Sequence, residues 1–186
     1  IVNGLPELKY SIWNDQYRDY HLLYHILSIP FAKVKDVQFG AKLEAVVFAS
    51  LAALVFWILL ANLQIQHKSF WLIMFLAGSG DFLFRIQMPR VQSVALIFLM
   101  LCFIFLIQKK YYLLLIVAFL NVWLYESFLL LIPIVFLWCL ISSILNRNIN
   151  YKPVIYLIIG ISLGLIINPY FPSNVQSILF NALRTF

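Results

Sequence analysis

The sequence predicts an all-α, polytopic integral membrane protein, and three observations carry that prediction. Apolar residues fill 64% of the 186 positions and charged residues only 11%, against about 45–50% and about 25% in soluble domains. Uncharged apolar runs close to spanning length recur along the chain. Five basic residues and no acid occupy short connections between these runs, whereas all seven acids lie on the other side, with eight basic residues spread over far more polypeptide. A water-exposed surface would have to display much of this apolar content, and a bilayer removes that difficulty. The 17 Phe, 10 Tyr and 5 Trp suit membrane helices and their interfaces.

Residues 1–44 read as a non-cytoplasmic loop with an interfacial helix. Asp15 to Ile29 has Leu22, Leu23, Ile26 and Leu27 on one helical face, and Pro30 is expected to end it. A hydrocarbon core about 30 Å thick needs roughly 20 apolar residues per helix. Residues 45–63 meet that length, 69–79 make a short or tilted pass, and 91–107 make a clear span. The run from Tyr111 to Leu145 would be about 52 Å long as one helix. It is therefore expected to break at Tyr125-Glu126-Ser127 into helices over 111–125 and 127–145, with Pro133 tolerated as a kink. Residues 153–167 give the sixth helix, with Pro153 in its first turn and Gly160 and Gly164 in a spacing that permits close helix approach. The transmembrane bundle thus covers 45–167. Residues 168–186 form a non-cytoplasmic interfacial segment in which Ser173 and Gln176 have capping-box spacing.

Charge orients the bundle. With residues 1–44 outside, alternation puts Lys68, Lys109, Lys110, Arg147 and Lys152 in cytoplasmic loops and all 7 acids on the opposite side. Basic density in short loops is what fixes membrane orientation. The net charge of +6 is scattered without a basic cluster or stacking platform, which excludes nucleic acid as a partner. Cys102 and Cys139 lie singly in apolar runs, as buried thiols do. The chain opens on Ile1 and stops at Phe186. It is expected to be an internal piece of a longer protein, with at least one span before residue 1.

Chemistry-bearing residues concentrate in the first loop. On a continuous helix Asp15 and Asp19 share a face, as do His21 and His25. Paired carboxylates can hold a divalent cation or divide base and electrostatic roles, with histidines ligating or relaying protons. The bland alternative is a water-facing stripe on an interfacial helix. A second group comprises Asp81, Arg85 and Arg90; Arg90, at the mouth of a bundle, suits a lipid phosphate, and the alternative is an arginine that snorkels to ordinary headgroups. Glu126 is the single charge in a 35-residue apolar run. At a wet turn it is cheap, and inside the bundle it would imply a role. Asn121 reads as helix–helix glue.

With RDYHLLYHILSIPF, MPRVQS and INPYFPSN in these places, the chain resembles the GT-C superfamily of membrane glycosyltransferases, in its bacterial form. The likeness covers the layout of the whole chain, through loose motifs. It implies sugar transfer from a polyprenyl-phosphate donor to an acceptor on the non-cytoplasmic face of a bacterial inner membrane. It further implies Asp19 or Asp15 as the catalytic carboxylate, and a divalent cation (Mg or Mn) held by the same two. Arg90 would take the donor phosphate, with His21, His25 and Glu126 as further substrate contacts. Asp15 and Asp19 are separated by three residues, unlike the adjacent or DxD-like acids of the family, and the family's C-terminal region is missing. A transporter or flippase, which would favour broken helices and charges within spans, and a non-catalytic membrane subunit are the competing expectations.

Overall fold

The computed structural model describes residues 19, 21–147, 149–176 and 178. These residues are all-helical, with no strand among them. Eight helices follow one another: α1 (Leu22–Ala32), α2 (Val37–Asn62), α3 (Lys68–Ala77), α4 (Gly80–Ile86), α5 (Val91–Ile107), α6 (Tyr111–Leu124), α7 (Phe128–Asn146) and α8 (Lys152–Ile166). Each predicted span therefore falls on a helix. Two of them, α2 and α7, are long and apolar enough to cross a membrane, and the α3–α4 pair, bent by 89°, makes a third if it counts as one pass. Leu54, Phe136, Leu145 and Ile158 point outward from their helices, a surface that suits lipid rather than water.

Three boundaries differ from the sequence reading. The interfacial helix starts at Leu22, because the Asp19 carboxylate accepts the His21 backbone N–H at 2.9 Å and holds the chain in a local turn. Asp19 is thus outside the helix, and Asp15 lies outside the described residues, so the expected shared helical face is not observed. Pro30 sits within α1 and does not end it; so close to the C-terminal end it removes only one helical hydrogen bond. The second helix starts at Val37, where the Asp36 side chain accepts the N–H groups of Gln38 (2.9 Å) and Phe39 (3.2 Å). Glu44, assigned from sequence to the first loop, is therefore a residue of α2.

Helices α2 and α5 run parallel. Phe48 shares a buried cluster with Val91 and Val94 at one end. Ala52 and Val55 meet Met100 and Ile104 further along. Gln108 Nε2 donates to Asn62 Oδ1 at 2.7 Å at the other end. The chain between them must therefore return over the bundle's length, and residues 63–90 do so in two pieces. Helix α3 lies antiparallel to α2, with Phe75 stacked on Phe56 at 4.1 Å. Ser79 caps α4, and Ser93 Oγ donates to Ile86 O at 2.9 Å, fastening α4 to the start of α5.

Helices α6 and α8 are also parallel, with Tyr111 beside Tyr156 at one end. At the other, Trp123 Nε1 donates to Gly164 O at 2.9 Å. The predicted close approach is realised here. A Cβ on Gly160 would lie 2.5 Å from Leu115 O, and one on Gly164 would lie 2.9 Å from Phe119 O. The core beneath joins Cys102, Leu114, Ala118, Leu131, Val135 and Leu157.

Candidate functional site

The end of the bundle formed by the starts of α2, α5 and α7 and the finishes of α6 and α8 collects most of the predicted site. Asp19 is the node. Its Oδ1 accepts from the His21 backbone, and its Oδ2 lies 2.7 Å from His25 Nδ1. A carboxylate only accepts, so Nδ1 of His25 carries a proton and, in the neutral ring, Nε2 keeps a lone pair. The Asp19 side chain is 11% exposed and that of His25 54%. A mostly covered acid thus orients an accessible imidazole. His21 lies 2.9 Å, O to N, from the His25 backbone N–H, and its ring meets that of His25 edge-on at 6.4 Å. Its Nδ1 donates to Leu124 O at 3.2 Å and its ring packs 5.3 Å from Tyr125. This fastens the start of α1 to the α6–α7 turn.

Glu126, in that turn, lines a cavity of about 30 Å³ together with Asp19, Asn168, Tyr170 and Asn174. The volume holds about one water. The wall is built by residues 168–174, which fold back over the end of α8: Asn174 Nδ2 donates to Leu165 O at 3.0 Å and Tyr170 N–H to Asn168 Oδ1 at 2.9 Å. Residues 173–176 are helical, where the capping-box spacing placed a helix start; 177 and 179–186 lie outside the described residues.

Arg90 is the residue before α5 and is exposed. Its neighbour Val91 shares a cluster with Tyr24 and Leu124, so Arg90 belongs to the same end of the bundle. It makes no side-chain hydrogen bond or ion pair with the described residues. Beside it a lateral groove of about 210 Å³ opens between α5 and the α6–α7 turn. Its accessible wall is almost wholly apolar, built by Leu96, Leu99 and Leu130 and by the carbon atoms of Gln92 and Tyr125. Asn121 is buried in α6 and accepts at 3.3 Å from the Oγ of Ser127, the N-cap residue of α7, so it ties the two helices together at their turn. Arg85 lines a separate cavity, with Phe82 and Ser93.

Sequence reasoning missed Glu44. It is 7% exposed and accepts from Ser28 Oγ at 2.8 Å, one helix over from the Asp19 node. Tyr24 lies against it. Burial foremost, and then hydrogen bonding to the Glu44 carboxylate and its charge, push the Tyr24 phenol well above its ordinary value of 10.0. The signal was Asp36, a capping residue ahead of a run with no proline before Asn62. The segment 168–174 gave no such signal, because its role comes from folding back over residues far away in sequence.

Of the two expected cation ligands only Asp19 lies among the described residues; Asp15 lies outside them. Both Asp19 oxygens already face N–H groups, and among the described residues no three His, Cys, Asp or Glu converge. Comparison with protein-family models, curated proteins and solved structures returned no match.

Proposed function

We propose that the chain is the catalytic end of a multi-pass membrane glycosyltransferase that takes sugar from a polyprenyl-phosphate donor on the non-cytoplasmic face. The observation that carries this reading is the His25–Asp19 pair at 2.7 Å, on the same bundle end as an apolar lateral groove. An apolar groove of that kind suits the polyprenyl tail of a lipid-linked substrate. His25 Nε2 accepts the proton of an acceptor hydroxyl as its oxygen bonds the anomeric carbon. The bond from that carbon to the donor's phosphate oxygen breaks, and its electron pair leaves with the phosphate, whose charge Arg90 stabilises. Asp19 acts as the orienting carboxylate, and no step here is routed through a metal.

The test is sugar transfer from a polyprenyl-phosphate donor by purified full-length protein. His25→Gln removes the base and should slow transfer roughly 10²–10⁴-fold. Asp19→Asn presents an amide N–H to His25 Nδ1–H, two donors face to face, which forces the ring into its other tautomer. In a hydrolytic triad an inversion of that kind costs about 10⁴-fold. Arg90→Ala should chiefly raise the KM for donor, with Lys restoring it only in part because the two-pronged grip is lost. Full activity in both His25→Gln and Asp19→Asn would remove the site from this reading. The transporter reading has support in the 89° break between α3 and α4. Substrate flux into vesicles without sugar transfer would favour it.

A further inference from the structure

At the opposite end of the bundle lies a cavity of about 750 Å³, larger than the others described above. It opens where α5 and α7 finish and α6 and α8 begin. Lys109 and Lys152 supply its cations, Tyr111, Tyr156 and Trp138 its aromatic walls, and Asn150 an amide. Asn150 Nδ2 donates to the Tyr111 hydroxyl at 2.9 Å, and the Tyr111 and Tyr156 rings stand 6.5 Å apart, so this wall is pre-formed. Neither lysine makes a side-chain hydrogen bond or ion pair with the described residues. Asp19, Asp36, Glu44 and Glu126 sit at the far end and Asp81 in the first turn of α4; none of these five lines the cavity. Leu106 and Ile107 close the cavity with apolar surface.

We propose that this cavity binds the phosphodiester headgroup of an anionic phospholipid. Two ammonium groups without partners among the described residues call for an anion, and hydroxyl and amide groups can complete the bonds to phosphate oxygens. Aromatic residues at the rim match the interfacial depth at which a headgroup lies. The volume falls in the range of small-molecule sites, about 300–1,000 Å³. Beyond the two cavity lysines, Lys68, Lys110 and Arg147 also point this end to the cytoplasmic leaflet, where anionic lipids attract basic residues. The inference needs the membrane placement proposed above and none of the transfer chemistry.

Trp138 supplies the readout. The full chain is placed in phosphatidylcholine nanodiscs containing a rising fraction of brominated phosphatidylglycerol, and Trp138 quenching is taken as the difference between native protein and Trp138→Phe. Quenching should reach its midpoint at a far lower fraction of brominated phosphatidylglycerol than of brominated phosphatidylcholine. Lys109→Gln/Lys152→Gln should raise the midpoint about 30-fold, the effect of two surface cations on anionic lipid. Ser142→Leu, which narrows the cavity without altering charge, should raise it too, and Lys68→Gln should leave it unchanged. Equal midpoints for the two lipids, or an unchanged midpoint in both the lysine and the Ser142 variants, would overturn the proposal. Reversal of quenching by millimolar glycerol phosphate or inorganic phosphate would overturn it in favour of a soluble anion. Failure to enter nanodiscs would refute the membrane placement, and this inference with it, whereas inactive transfer would leave it standing.

Discussion

Substituting Gly160 by alanine places one methyl group where two helices nearly touch. The added Cβ would lie 2.5 Å from Leu115 O and 2.9 Å from Ala118 Cβ, against the 3.4 Å at which such contact becomes ordinary. The carbonyl belongs to the backbone of α6 and cannot swing aside, so α8 must retreat by about 0.9 Å. A gap of that order forfeits about a quarter to a half of each dispersion contact it opens. The same retreat would lengthen the Trp123–Gly164 hydrogen bond from 2.9 Å beyond bonding range, a loss of about 0.5–1.5 kcal/mol. Overpacking of a core by one methylene adds about 1–3 kcal/mol, offset by the roughly 1 kcal/mol that alanine gains over glycine within a helix. At mid-range the net expectation is a loss of about 2 kcal/mol, which in a chain of this size lowers Tm by about 4–8 °C. The assay is thermal unfolding of detergent-purified protein, followed by loss of the monodisperse peak in size-exclusion chromatography. Gly80→Ala is the control, since nothing lies within 4 Å of its added Cβ; its Tm should hold or rise. A Gly160→Ala protein as stable as the native chain would refute the close α6–α8 packing.

Raised above its ordinary value of 10.0, the Tyr24 phenol binds its proton more tightly in the folded chain than in the unfolded one. Its contribution is complete below pH 10 and is lost as pH rises beyond it. Stability should therefore fall more steeply above pH 10 in native protein than in Tyr24→Phe, and superimposable alkaline profiles would contradict the burial described. Single cysteines at Gln66, Lys109 and Ile149, introduced after replacing Cys102 and Cys139, should be labelled from the cytoplasmic face only. Labelling of all three from outside would invert the orientation.

Helix positions were largely legible because local chemistry fixes them. Tyr125-Glu126-Ser127 interrupts a run too long for one pass, and the chain turns there. Gly160 and Gly164 advertise a close contact that α6 fills. Boundaries failed where a side chain competes for backbone donors: Asp19 claims the His21 N–H and delays α1, while Asp36 claims those of Gln38 and Phe39 and advances α2. The second shift moved Glu44 from a wet loop into a helix interface. In the site, the proximity of His21 to His25 was readable from their spacing. The contact of His21 with Leu124, 103 positions away, and the wall supplied by Asn168, Tyr170 and Asn174 were not, since no local pattern encodes which distant segments meet.

The unequal lengths of the helices bear on the lipid around them. Helix α2 has 26 residues and α6 only 14, or about 39 Å against about 21 Å. In a bilayer whose hydrocarbon layer is about 30 Å thick, the apolar part of α2 from Ala45 onward, about 27 Å long, nearly matches it, while the flank built on α6 and α8 falls short. Lipids along that flank must thin, at a fraction of a kcal/mol per Å, and their headgroups dip toward the finish of α6. His21 is anchored to Leu124 at that same finish. A phosphate entering from the short side would therefore already be lowered toward the imidazoles, with the membrane itself shaped into a shallow funnel over them.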